Sequence, residues 1–154
     1  MTPVSPLFLL TDENELAEGV LTNRRKGSRD NIVRWIPRLR AAWDAAKAVR
    51  SETWERKRVP VPIRADQRFL IIAATGRQLS KSGLDTAFQR LIVQAIEKKV
   101  LTEEQRFGMH DFKRKGITDT VGTRADKQQA SGHKDESMMD VYDLSVPTVN
   151  PSAE

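Results

Sequence analysis

The stretch GMHDFKRKGITDTVGTRADKQQASGHKDESMMDVYDL, residues 108–144, decides how the rest of the chain is interpreted. It contains both histidines of the protein, His110 and His133, and its only tyrosine, Tyr142. Lysines and arginines surround these three scarce side chains. An ordinary core helix or surface loop has no need for that grouping. The stretch therefore predicts a site that handles phosphate.

Composition limits the classes of function. The 154 residues carry a formal net charge of +5, which favours an anionic partner, with nucleic acid first and an anionic membrane surface second. The absence of cysteine excludes disulfides and cysteine-based zinc sites. The two histidines are 23 positions apart (133 minus 110), which is not a metal-binding spacing, so we expect neither a metal nor another cofactor.

The chain shows no membrane-spanning pattern. No apolar run approaches the length of a membrane span, and MTPVSPLFLL at the start lacks the features of a signal peptide. We therefore expect a cytoplasmic protein with no membrane partner. The length suits one domain with a real core, preceded by a poorly determined segment over 1–17 and followed by a mobile tail over 147–154.

The pattern after residue 18 predicts a β-hairpin. Strands are expected over 20–25 and 31–36, and the turn between them contains glycine, aspartate and asparagine. Four cations lie at the tip of the hairpin: Arg24, Arg25, Lys26 and Arg29. Taken alone, such a run is more often a solvated charged turn than a binding site.

Two long helices are predicted, separated by a connector. The first begins at Pro37 and is expected to bury Trp54 and a helical stripe that consists of Leu39, Trp43, Ala46 and Val49. The prolines in 56–67 predict an extended connector. The apolar run over 68–75 predicts a short buried strand, and periodicity leaves a helix open as the alternative.

The second helix follows a loop, with Ser80 or Ser82 as its N-cap. Its apolar stripe consists of Leu84, Phe88, Leu91, Ile92, Ala95 and Ile96. Together these elements predict a mainly helical α+β fold with a small antiparallel sheet packed on helices.

A third helix is predicted to begin near His110. Positions 110, 113 and 114 then share a face, which places an imidazole beside Lys113 and Arg114. A helix N-terminus with these groups would hold a phosphate. The spacing is equally consistent with a capping histidine on a basic helix.

Two segments carry a family resemblance. HDFKRKGITD (110–119) followed by SGHKDESMMDVYDL (131–144) resembles the C-terminal catalytic motifs of tyrosine recombinases, the phage integrase family. The family pattern is a His-x-x-Arg box, then Gly-His, then a tyrosine nine positions after the second histidine. Here Gly132 precedes His133, and Tyr142 follows nine positions later (142 minus 133).

The resemblance extends upstream and covers residues 18–146. RRKGSRDNIVRWIPRLRAA (24–42) is similar to the family's hairpin lysine with the strand, proline and helix after it, and TGRQLSKSGLDTAFQRLI (75–92) resembles the segment before the His-x-x-Arg helix. It implies the DNA breaking and rejoining fold of the family's catalytic domain over 18–146, with an N-terminal truncation.

The resemblance also implies residue roles. Tyr142 would attack a DNA phosphodiester and form a 3′-phosphotyrosyl link while freeing a 5′-hydroxyl. His110 would assist proton transfer, His133 would hydrogen-bond the phosphate, and Lys26 would protonate the leaving oxygen. Further DNA contacts are expected from Arg24, Arg25, Arg29, Lys115 and Lys134. Without the motif, Tyr142 would be a helix residue packed beside methionines.

Two departures weaken the expected chemistry. Lys113 stands where the family has an arginine, with Arg114 one position later, and lysine lacks the planar fork that grips two phosphate oxygens. No arginine precedes Arg24, where the family has its first catalytic arginine. We therefore expect weak activity or none from this chain alone.

The expected partners follow from the same resemblance. They are double-stranded DNA and a homo-oligomer, a tetramer on DNA, or a full-length recombinase. Two other functions stay open: a DNA-binding module without chemistry, and a remnant that docks onto a partner recombinase.

Overall fold

A computed structural model describes residues 9–22 and 30–144 of the chain, and the fold there is mainly helical α+β. The described residues contain five α-helices and a two-stranded antiparallel sheet. They form two units, one of 9–22 with 30–106 and the other of 107–144. None of the helices in these ranges is long and apolar enough to cross a membrane.

The predicted hairpin is present in the first unit, and its second strand ends two residues earlier than expected. Strand β1 is Gly19–Thr22 and strand β2 is Asn31–Arg34, paired so that Val20 lies opposite Val33. Only glycine fits at position 19, because a Cβ atom there would overlap the carbonyl of Val33. The hairpin tip, residues 23–29, lies outside the described residues.

Helix α1, Pro37–Lys57, provides much of the core of the first unit. Trp43 is 3% exposed and packs with Val20 and Leu70, and the ring of Trp35 meets Trp43 edge-on at 5.6 Å. Trp54 is also buried, and its indole nitrogen donates to the carbonyl of Gly76 at 3.0 Å. Burial of both predicted tryptophans is confirmed.

One position of the predicted stripe on α1 is wrong. Val49 is 63% exposed, whereas its neighbour Arg50 is 4% exposed. Seven residues turn an α-helix to within about 20° of its starting direction, so Arg50 lies on the same side of α1 as Trp43. The guanidinium of Arg50 pairs with Asp12, and its Nη1 also donates to two backbone carbonyls, which compensates the buried charge, although Nε has no hydrogen-bond partner among the described residues.

The apolar run over 68–75 forms neither the predicted strand nor a helix. Leu70 is buried and its amide donates to the carbonyl of Leu10, but Phe69 and Ile72 take part only in isolated bridges, to Thr11 and Gln78. A tight turn at 73–76 reverses the chain before a ladder can form, and Gly76 adopts a φ of +83° there, in the left-handed region.

Helix α2, Lys81–Glu97, confirms the predicted loop and cap before it. The Ser80 hydroxyl accepts a hydrogen bond from the amide of Gly83 at 3.0 Å. Ile92 is 2% exposed, but Leu91 is 59% exposed and does not belong to the buried face. Leu91 is rotated from Ile92 by about 100°, which carries it away from that face.

The second unit contains three helices: α3, Met109–Asp119; α4, Arg124–Ser131; and α5, Met138–Tyr142. The predicted helix near His110 is therefore confirmed. Ile117 of α3 and Met139 of α5 are buried, at 4% and 0% exposure. Short 3-10 turns complete the fold at Asp12–Asn14, Ala65–Gln67 and Glu103–Gln105, all in the first unit.

Glu15 ties the loop before β1 to helix α1. Its carboxylate lies 2.7 Å from the ammonium of Lys47 and 2.9 Å from the guanidinium of Arg40. Partial burial of Glu15 opposes its ionisation, but the hydrogen bond from Lys47 and the attraction of the two cations outweigh burial and hold the pKa of Glu15 below its ordinary value.

Replacing Glu15 should therefore destabilise the first unit in a pH-dependent way. At pH 7 we expect Glu15→Gln to lower the free energy of unfolding by about 1 kcal/mol. A lowered pKa contributes stability above the ordinary value and loses it as the pH falls through the folded value, so the difference should shrink as the pH falls below the ordinary value of 4.5. Urea unfolding followed by tryptophan fluorescence measures it, because all three tryptophans lie in this unit.

The matched control removes an exposed carboxylate. Asp85 pairs with Lys81 on the surface of α2, with side chains 48% and 52% exposed, so Asp85→Asn should change stability much less at pH 7. A difference between Glu15→Gln and the original chain that did not shrink as the pH fell below 4.5 would contradict an electrostatic origin.

Candidate functional site

Helix α3 carries the first two groups of the site. It begins after Gly108, whose amide donates to a carboxylate oxygen of Asp111 at 2.8 Å, a cap that satisfies one of the free donors of the first turn. His110 lies in that first turn and Lys113 one turn later, on the same side of the helix. Ile117, seven positions after His110 and so on the same side of the helix, is buried in the interior.

Helix α4 delivers the second histidine. It begins with a capping box in which Thr123 and Asp126 bond each other's backbone amides. Hydrogen bonds from the backbone and then the side chain of Thr123 hold the pKa of Asp126 below its ordinary value. Gly132 ends the helix with a φ of +71°, the left-handed conformation that glycine adopts without strain, and His133 follows directly.

Helix α5 carries Tyr142 as its last residue. It is only five residues long, and Met139 fixes it in the interior at 0% exposure. Arg124 of α4 holds its beginning, because the guanidinium donates to the carbonyl of Glu136 at 3.1 Å and to a carboxylate oxygen of Asp140 at 2.6 Å.

These three helices bring the rings of Tyr142, His110 and His133 together. The centroid of the Tyr142 ring lies 5.1 Å from that of His133, with the planes inclined by 17°, which is a stacked arrangement. The His110 ring lies 5.5 Å from Tyr142 at an angle of 55°. Tyr142 and His133 are half-buried, and His110 is exposed. The single phenol of the chain thus lies beside both of its imidazoles.

Lys113 adds a cation to this cluster. Its ammonium nitrogen lies 4.8 Å from the centroid of the Tyr142 ring and 2.9 Å from Nε2 of His133. An ammonium can only donate, so Nε2 of a neutral His133 is the acceptor in this contact. Two imidazoles and an ammonium beside one phenol form a cluster with three nitrogen groups that can meet an anion.

The other predicted residues of α3 and of the loop after α4 do not join this cluster. Arg114 is exposed, and its side chain makes no hydrogen bond or ion pair with another residue of the described ranges. Lys115 is exposed and pairs with Asp119 at 2.6 Å. Lys134 is exposed, and its carbonyl accepts from the side chain of Gln128. Of the two residues near the family's arginine position, Lys113 is therefore the one beside Tyr142.

The hairpin residues of the predicted site lie outside the described residues. These are Lys26, the predicted general acid, and the predicted DNA contacts Arg24, Arg25 and Arg29. Their roles stay predictions.

Three residues with structural importance for the site were missed by the sequence analysis. Lys127 is buried in α4 at 7% exposure and pairs with Asp143, directly after Tyr142, at 3.0 Å. Thr118 of α3 bonds the backbone on both sides of Asp143. The only sequence signal for this pair is that Lys127 occupies an inward position of a short helix. No local pattern links Lys127 to Asp143, 16 positions later (143 minus 127).

The described part of the chain contains no group of three or more histidine, aspartate or glutamate side chains placed to hold a metal ion. Comparison with known proteins finds no match to this chain among protein-family models, curated proteins or solved structures.

The capping box of α4 should control the stability of the site. We expect Thr123→Ala to lower the free energy of unfolding of the second unit by about 1 kcal/mol, because it removes an N-cap. Thr123→Ser keeps the hydroxyl and should retain most of the free energy that the cap contributes. Urea titration followed by the NMR ring signals of Tyr142, the only tyrosine, measures the effect. Equal midpoints for Thr123→Ala and the original chain would contradict it.

Proposed function

We propose that this chain breaks and rejoins double-stranded DNA as a tyrosine recombinase of the phage integrase type, with Tyr142 as the nucleophile. The observation that supports it best is the meeting of both histidine rings with the only tyrosine, at 5.1 and 5.5 Å. The three residues come from different segments of the second unit, and no local periodicity requires them to meet. The family's catalytic fold and a cytoplasmic location belong to the same proposal.

The proposed reaction is a phosphoryl transfer from the 5′ oxygen of the DNA strand to the phenol of Tyr142. The phenol oxygen of Tyr142 attacks phosphorus, the bond from phosphorus to the 5′ oxygen breaks, and a 3′-phosphotyrosyl link forms. His110 takes up the phenol proton, and Lys26 gives a proton to the leaving oxygen. The reverse reaction, with a 5′-hydroxyl as the attacking group, rejoins the strand.

Binding of the phosphate rearranges one contact. In the unliganded site Lys113 donates to Nε2 of His133. A phosphate oxygen is a stronger acceptor for the ammonium than a neutral ring nitrogen, so the anion takes over this bond. His133 then carries its single ring proton on Nε2 instead of Nδ1, after exchange through water, and donates that N–H to the phosphate.

The rate of cleavage is low in this proposal. Lys113 supplies charge at one point and cannot form the two parallel hydrogen bonds of an arginine. The loss of one such donor from a preorganised site costs about 100- to 1,000-fold in rate.

A second candidate is favoured by the pairing of Lys113 with His133 and by the exposure of Arg114. In it the same site binds a DNA phosphate without cleaving the strand, and the chain acts as a DNA-binding or recombinase-docking module. Assembly as a tetramer on DNA, or with a full-length recombinase, accompanies either candidate.

Covalent trapping on nicked DNA separates the two candidates. The full chain is incubated with a pool of nicked duplexes of randomised sequence, and covalent complexes are resolved on denaturing gels. We expect slow trapping that is absent in Tyr142→Phe, which retains the ring but not the nucleophile. Lys113→Arg should raise the rate by about 10-fold or more, because it restores the fork.

Each outcome has a defined meaning. A protein–DNA adduct in Tyr142→Phe would contradict the assignment of the nucleophile. No adduct from the original chain or from Lys113→Arg would reject catalysis and favour the binding module. Mass spectrometry of the digested adduct must identify a tyrosyl peptide that contains Tyr142.

DNA binding should depend steeply on salt. Each phosphate contact that is lost should reduce the slope of log affinity against log salt by about 0.9, so joint replacement of Arg24, Arg25 and Arg29 by glutamine should reduce it by about 3. Lys81→Gln, on the surface of α2, is the matched control and should leave the slope unchanged. An unchanged slope in the triple variant would contradict the predicted hairpin contacts.

A further inference from the structure

A buried ion pair between Lys127 and Asp143 fixes the chain segment that directly follows Tyr142. Lys127 is 7% exposed, and buried lysines are rare unless they are paired. Its ammonium donates to a carboxylate oxygen of Asp143 at 3.0 Å and lies 3.4 Å from the carbonyl of Thr118. The two paired side chains are 8% and 13% exposed, so neither charge is free to contact DNA.

Thr118 forms a second set of hydrogen bonds with the same segment. Its hydroxyl donates to the carbonyl of Tyr142 at 3.4 Å and accepts from the amide of Leu144 at 3.2 Å. The backbone on both sides of Asp143 is therefore bonded to α3, while the side chain of Asp143 is bonded to α4. His110 lies on α3 and His133 directly follows α4. These contacts therefore fix the position of Tyr142 relative to the two helices that position its ring partners.

A helix as short as α5 needs tertiary contacts of this kind to fix its position. Five residues form too few backbone hydrogen bonds to fix α5 by themselves, so the place of Tyr142 depends on tertiary contacts. A nucleophile displaced by about 1 Å can lose about 100-fold in rate. A buried ion pair contributes little net stability compared with apolar residues, but it accepts only one arrangement of its partners.

We infer that Lys127 and Asp143 form a positioning pair, which fixes the phenol of Tyr142 between His110 and His133. The pair acts on the orientation of Tyr142 and not on DNA affinity. Its consequence for cleavage rests on the proposed function, whereas its consequence for the ring cluster does not.

The direct test observes the ring of Tyr142. Because it is the only tyrosine, ring-labelled tyrosine gives one set of NMR signals for the full chain. The original chain should show nuclear Overhauser contacts from Tyr142 to the rings of His110 and His133. Lys127→Met and Asp143→Asn should weaken these contacts and shift the ring signals, and Lys127→Arg should restore them.

Two variants guard against a general loss of structure. The double variant Lys127→Met/Asp143→Leu replaces the pair with apolar side chains of similar size, so the second unit should stay folded while Tyr142 loses its fixed orientation. Asp85→Asn removes the carboxylate of an exposed pair on α2 and should leave the Tyr142 signals unchanged. Ring contacts in the double variant that equal those of the original chain would overturn the inference.

The kinetic arm uses the covalent trapping of nicked DNA. Asp143→Asn and Lys127→Met should lower the trapping rate about 100-fold, with DNA affinity within twofold of the original chain. An equal loss of rate and affinity, or no loss of rate, would overturn the inference for cleavage. If the original chain traps no DNA, the proposed function fails, and the NMR contacts still decide whether the pair positions Tyr142.

Discussion

The buried pair of Lys127 and Asp143 is the interaction on which the geometry of the second unit depends. It joins α4 to the end of a helix too short to hold its own position. The cluster around Tyr142 exists only while α3, α4 and α5 stay in register. Apolar anchoring by Met139 provides stability but does not specify an orientation, because apolar contacts are not directional.

The first unit uses the same principle with different residues. Arg50 is buried on α1 and its charge is compensated by Asp12, a residue 38 positions earlier (50 minus 12), with Arg68 bonded to the same carboxylate. In both units a buried cation donates hydrogen bonds to a carboxylate from a distant segment. Such pairs are costly to break and specific in geometry, so they fix loops and short elements that the modest apolar core does not hold.

The electrostatic character of the cluster around Tyr142 depends on Lys113. An arginine at this position would present a planar fork to an anion, whereas the lysine ammonium is a compact charge that Nε2 of His133 can satisfy. Under the proposed function, this arrangement favours phosphate binding over transition-state stabilisation, because binding needs charge and catalysis needs fixed donors.

Local patterns in the sequence predicted α1, α2, the beginning of α3 and the hairpin strands of the described residues, because periodicity, capping residues and turn formers act over a few positions. They did not predict α4 or α5. The sequence also singled out His110, His133 and Tyr142 by their scarcity and spacing. Only the tertiary structure decided that Lys113 and not Arg114 lies beside the phenol, that Val49 is exposed while Arg50 is buried, and that the run over 68–75 bends instead of extending. These outcomes depend on partners far away in the chain, such as Asp143 for Lys127 and Asp12 for Arg50, and a pattern of neighbours contains no information about them.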